Sequence, residues 1–170
     1  MYKKLNLIII LISSFILAEP RKGSSMLNKD LLVFNSLIGK NYIGKIQNKT
    51  ANKLITETVF WESALKGDAV RVTHSFNHDE LLGETLIMYD QLEDNISCWY
   101  FSSGGISRKS KFLSKSNEII FLEDVSRNKN SITKIRTKYE LNTINTYEKV
   151  TQYLINNVWT KGERVLYEIF

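Results

Sequence analysis

From Asn41 to the C-terminus, short runs rich in Ile, Val, Thr, Tyr and Phe alternate with clusters of turn-forming residues, and this spacing constrains the fold more than any other feature. Turn signals fall at 48–52, 66–68, 77–79, 93–95, 102–105, 114–117, 127–130, 142–145 and 161–162. They mark about ten candidate strands, at 42–47, 53–65, 69–76, 83–91, 96–101, 107–113, 118–125, 132–141, 146–155 and 158–170. Joining parallel strands takes a crossover of about a dozen residues, and none of these intervals has room for one. The single proline, Pro20, precedes every strand, so each can donate its full ladder of N–H groups. The spacing therefore predicts an antiparallel sandwich or barrel. Closure removes exposed edges, which favours an all-β, up-and-down barrel.

Two segments precede the strands. Leu27, Leu31, Phe34 and Ile38 recur at helical spacing behind a possible N-cap, Asn28, and predict one short amphipathic helix ended by Gly39. Further upstream, Lys3 and Lys4 lead an apolar run from Leu7 to Leu17, followed by Ala18 and Glu19-Pro20, the pattern of a secretory signal peptide. The run is short of the ~20 residues that a spanning helix needs. The expected organisation is a signal peptide at 1–18, a short polar segment at 19–25 and one barrel domain at 26–170, exported to the periplasm or the extracellular space. Membrane contact is expected only through the signal segment if it is left uncut.

Charge and cysteine use exclude several classes. The formal net charge of +5 falls to +3 once Lys3 and Lys4 are removed, and the basic residues are interspersed with acidic ones. A nucleic-acid surface needs clustered Lys and Arg with stacking aromatics, so no nucleic-acid partner is expected. Cys98 is the only cysteine, which rules out an intramolecular disulfide, and its apolar, β-prone surroundings suit a buried thiol. His74 and His78 are the only histidines; the second falls in a turn, so no metal site is expected. No Ser/His/Asp arrangement or phosphate loop stands out, and no catalytic residue or cofactor is assigned.

Strand alternation assigns faces. Ile55, Glu57, Val59 and Trp61 share one face of the second strand, and Val70, Val72, His74 and Phe76 form the clearest core face, on the third. In the fourth, an inward Leu86 and Met88 would bring Glu84 inside, where a carboxylate needs a partner such as His74 or Arg136. If the barrel holds a cavity, the candidate ligand-binding residues are Trp61, Trp99 and Tyr139 as apolar lining, with His74, Glu84 and Arg136 as orienting polar groups.

The stretch Leu37-Ile38-Gly39-Lys40-Asn41-Tyr42-Ile43-Gly44 resembles the opening of calycin-type barrels, the lipocalin and fatty-acid-binding superfamily. Phe60-Trp61-Glu62, Gly67 to His74, Gly83 to Tyr89 and Trp99-Tyr100-Phe101 are similar to small bacterial lipocalin-like domains of unknown function. Lipocalins place a tryptophan two residues after the first glycine, where this chain has Asn41. Haem-binding relatives use a C-terminal histidine that this chain lacks, so no haem role carries over. The resemblance implies a barrel whose cavity takes a small hydrophobic molecule. Two other expectations compete with non-enzymatic binding: an enzyme using Glu84 and His74 as an acid/base pair, and a filled barrel serving as an interaction module.

Overall fold

The computed structural model describes residues 26–48, 52–115, 118–125 and 131–170; the signal segment at 1–18 and the polar segment at 19–25 lie outside them. Ten strands form one closed antiparallel barrel: β1 (Lys40–Asn48), β2 (Lys53–Ala64), β3 (Ala69–Phe76), β4 (Leu81–Asp90), β5 (Asn95–Ser102), β6 (Ser107–Lys115), β7 (Glu118–Asp124), β8 (Ile132–Leu141), β9 (Thr146–Ile155) and β10 (Val158–Ile169). Each strand pairs with its successor, and β10 pairs with β1. The all-β, up-and-down architecture expected from turn spacing is the one observed. One predicted turn is different: Lys161-Gly162 falls at a bulge inside β10, between Lys161 and Arg164.

The parity of the hairpins decides which residues face inward. Phe76 and Leu81 are register partners across a four-residue turn, so inward even-numbered residues on β3 pair with inward odd-numbered residues on β4. Val70, Val72 and His74 thus lie opposite Ile87, Thr85 and Gly83. Glu84, Leu86 and Met88 are on the outer face, which corrects the expected orientation of that strand. At the β9–β10 hairpin, Asn156 and Asn157 both take positive φ, the backbone a two-residue turn between twisted strands requires.

The N-terminal segment corrects a second expectation. Instead of an α-helix, Lys29–Phe34 forms a single 3-10 segment, with the Asn28 side chain accepting from Asp30 N–H at 3.3 Å. Leu31, Phe34 and Leu37 recur every three residues, and a three-residue turn aligns all three on one side. The backbone bonds are i to i+3: Leu31 N–H to Asn28 C=O at 2.8 Å and Leu37 N–H to Phe34 C=O at 2.9 Å. All three side chains are buried. Asn28 N–H donates to Gly67 C=O at 2.9 Å, fastening the segment to the β2–β3 connection.

The segment plugs one end of the barrel. The Phe34 ring lies 6.3 Å from Trp61, 5.8 Å from Phe112 and 6.2 Å from Phe121, centroid to centroid. Around it Val70, Val72, Ile87 and Ile119 complete a dry floor. Truncating a buried Phe costs about 3–5 kcal/mol through lost burial and the cavity left behind. Phe34→Ala is therefore expected to lower the unfolding free energy by that amount in urea titration, with m unchanged; a loss below about 1 kcal/mol would show that the plug does not help hold the floor.

Candidate functional site

Above the floor the inner wall changes character. Glu57, one residue pair above Val59 on β2, points inward and is 1% exposed. Its Oε1 lies 2.8 Å from His74 Nδ1 and its Oε2 lies 2.9 Å from Lys149 Nζ, while the Tyr167 hydroxyl donates to Oε2. The donors come from β3, β9 and β10, so one carboxylate collects three strands besides its own. Gly44 makes this possible. It is the register partner of both Glu57 and Tyr167, and a Cβ there would lie 2.5 Å from Tyr167 Cε1. Its missing side chain leaves the place where the Tyr167 ring crosses toward Glu57.

Two opposed effects set the charge of Glu57. Burial raises the carboxyl pKa, but Lys149, the bonded His74 and the Tyr167 hydroxyl together outweigh it and hold the value down to about 2. Tyr167 moves strongly upward, through burial first and the Glu57 charge second, and stays a donor. Its ring stacks on Tyr147 at 4.8 Å and lies 5.0 Å from Lys149 Nζ. An ionised carboxylate only accepts, so the proton of the 2.8 Å contact is on His74 Nδ1. His74 Nε2 then faces Thr85 Oγ1 at 3.1 Å.

The sequence-assigned residues separate into two groups. Trp61 and Tyr139 are inside, with ring centroids 5.8 Å apart, and His74 is inside above them. Glu84, Trp99 and Arg136 are on the outer wall. Glu84 is exposed and faces away from His74, so the expected Glu84/His74 pair does not exist. Trp99 is the partner of Leu86 and Lys109 and lies under the Lys109 ammonium at 5.2 Å. Arg136 covers Trp159 at 4.3 Å and its Nε donates to Gln152 at 2.9 Å. The cause is register: the expected inward residues of β4 and β5 are one residue out of phase, and on β8 Tyr139 points inward as expected, which puts Arg136, three residues away, on the opposite face.

Glu57, Lys149, Tyr167 and Thr85 were not singled out from sequence. The signal for Glu57 was present, since it shares a face with Val59 and Trp61. Nothing local marked Lys149 or Tyr167, which come within reach only through barrel closure.

The interior also changes in accessibility from floor to mouth. Trp61, Val70, Val72, Ile87 and Ile119 are buried, whereas inward Tyr139, Thr137, Ile135, Thr151 and Tyr153 keep accessible surface. The indole N–H of Trp61 makes no hydrogen bond among the described residues, although the Tyr147 hydroxyl is the polar group facing it. Nearer the mouth, Arg108 and Glu123 approach to 3.8 Å. A depression of about 250 Å³ on the outer wall is bordered by Thr58, Phe60, Thr73, Ser75 and Leu82, and Val59 and His74 also line it. No protein-family profile matches the chain, and no curated protein matches it in sequence.

Because the folded pKa of Glu57 is depressed from 4.5 to about 2, its contribution is complete above the unfolded value and is lost as pH falls through that window. The linkage is on the order of 3 kcal/mol. Wild type is expected to exceed Glu57→Gln in stability at neutral pH, with the gap closing on acidification toward pH ~2. Urea titrations across that range check this, and a gap independent of pH would contradict the buried, ionised carboxylate.

Proposed function

We propose that the protein is an exported, calycin-like carrier that holds a small hydrophobic molecule inside its barrel. The observation that carries this reading is the partly accessible inner wall above the plugged floor. Side chains that would be fully covered in a filled barrel, Tyr139, Thr137 and Thr151 among them, retain surface although they point inward. That favours a hollow interior over a filled interaction module.

Trp61 and Tyr139 supply the apolar end of such a site, and His74 with Lys149 supplies polar groups beside it. Lys149 gives one N–H to Glu57 and keeps 21% of its side chain accessible, so it can still donate to an acceptor on the ligand. Export is supported by the lysine-led apolar run at the N-terminus.

Trp99 and Trp159 are on the outer wall, so replacing both with Phe leaves Trp61 as the only indole. Addition of 1-anilinonaphthalene-8-sulfonate to this variant is expected to quench Trp61 emission saturably, and Tyr139→Ala should weaken the response. A flat titration, together with no small molecule in organic extracts of the purified protein, would defeat the carrier reading.

A further inference from the structure

We propose that Thr85, His74 and Glu57 form a nucleophilic relay on the inner wall, through which Thr85 takes up the acyl group of a small apolar ester. This goes beyond carriage, and it rests on the same accessible interior.

The three residues are on adjacent strands β4, β3 and β2 and connect in one line, Thr85 Oγ1 to His74 Nε2 at 3.1 Å and His74 Nδ1 to Glu57 Oε1 at 2.8 Å. Burial falls along that line: the Glu57 side chain is 1% exposed, His74 is 11% exposed, and Thr85 is partly accessible. A buried orienting carboxylate, an imidazole and an accessible hydroxyl in hydrogen-bond sequence are the parts of an activated nucleophile. Lys149 and Tyr167 hold the Glu57 carboxylate from its other oxygen. The imidazole plane is held too, with Phe76 stacked at 6.4 Å and Tyr100 edge-on at 5.8 Å.

The proton positions follow from the acceptors. Glu57 accepts from Nδ1–H, so the tautomer that acts in the relay has its lone pair on Nε2 and accepts the Thr85 hydroxyl proton there. As Thr85 Oγ1 bonds to an ester carbonyl carbon, His74 Nε2 takes that proton and the imidazolium is stabilised by Glu57. Collapse of the tetrahedral intermediate breaks the bond to the alcohol oxygen, which receives the proton from His74. Water then attacks the acyl carbon, giving its proton to His74; the bond to Oγ1 breaks and Thr85 recovers a proton. The sum is ester plus water to acid plus alcohol, with no other reactant. For the oxyanion this wall offers the Tyr100 hydroxyl, from the residue directly paired with Thr85, whose ring leans over Gly83. Burial keeps that phenol protonated by raising its pKa.

Incubation with p-nitrophenyl butyrate tests the relay by two readouts, release of p-nitrophenolate and peptide mass mapping of the butyryl group. A burst stoichiometric with protein and a butyryl group on Thr85 are expected. Thr85→Val and His74→Gln should each slow acylation by about 100-fold or more, and the double variant no further than either alone. Thr85→Ser should keep the reaction, and circular dichroism confirms that each variant is folded. No adduct in the wild type, an adduct on Lys149 or another side chain, or undiminished acylation in Thr85→Val would each overturn the relay. Retained quenching of Trp61 by 1-anilinonaphthalene-8-sulfonate alongside such a result would leave the carrier reading standing. Loss of both would remove the accessible interior itself.

Discussion

Closure of the barrel depends on a short seam. β1 and β2 run in register from Lys40 to Asn48, whereas β1 and β10 share only the pairs Tyr42 with Ile169, Ile43 with Glu168 and Gly44 with Tyr167. These join opposite ends of the domain, and such a non-local contact carries the largest chain-entropy cost in the fold. Side chains reinforce it from inside. Glu57, one strand away from the seam, accepts from Tyr167 on β10 and Lys149 on β9 across Gly44. Tyr42 meets Tyr147 edge-on at 4.8 Å just below. The carboxylate is therefore both a polar site and a staple across the joint, and disturbing its charge acts on the whole sheet.

A staple made of charge is an expensive choice for stability alone. Replacing a buried ion pair with well-packed apolar groups is often neutral or stabilising, whereas removing one partner is costly. The floor of this same barrel shows that the chain builds apolar packing readily, with Phe34 against Trp61, Phe112 and Phe121. The change from aromatic floor to ionic wall takes place where inward side chains begin to keep accessible surface. At that position the ions are dry enough to interact strongly and still adjoin inward residues that keep accessible surface.

Much of the architecture was legible because it depends on local signals. Turn clusters located the strands, and alternation put Trp61 and Glu57 on one face of β2 and His74 with Val72 on the core face of β3. What failed was phase between strands. An inward Leu86 or an inward Ile87 gives an equally amphipathic β4, and only the Phe76–Leu81 pairing decides between them. Choosing Leu86 made Glu84 the partner of His74, although Glu57 already shared a face with Val59. The N-terminal segment failed for another reason. Its apolar residues fit spacings of both three and four, and the choice is made by docking into the closed end of the barrel, where Leu31, Phe34 and Leu37 must all point into the floor.

The tyrosines over glycine link these levels. On the inner wall Gly44 lies beneath Tyr167 and Gly83 beneath Tyr100, and in both places a Cβ would come closer than 3.0 Å to the ring. A tyrosine that stood straight into the lumen would send its hydroxyl to the centre. Laid over a neighbouring glycine, it instead runs along the wall and brings a polar edge beside a strand partner. Tyr167 thereby reaches Glu57, and Tyr100 comes edge-on to His74. The glycines thus give the wall its chemistry: they let two phenols lie along it and flank the Glu57 and His74 pair.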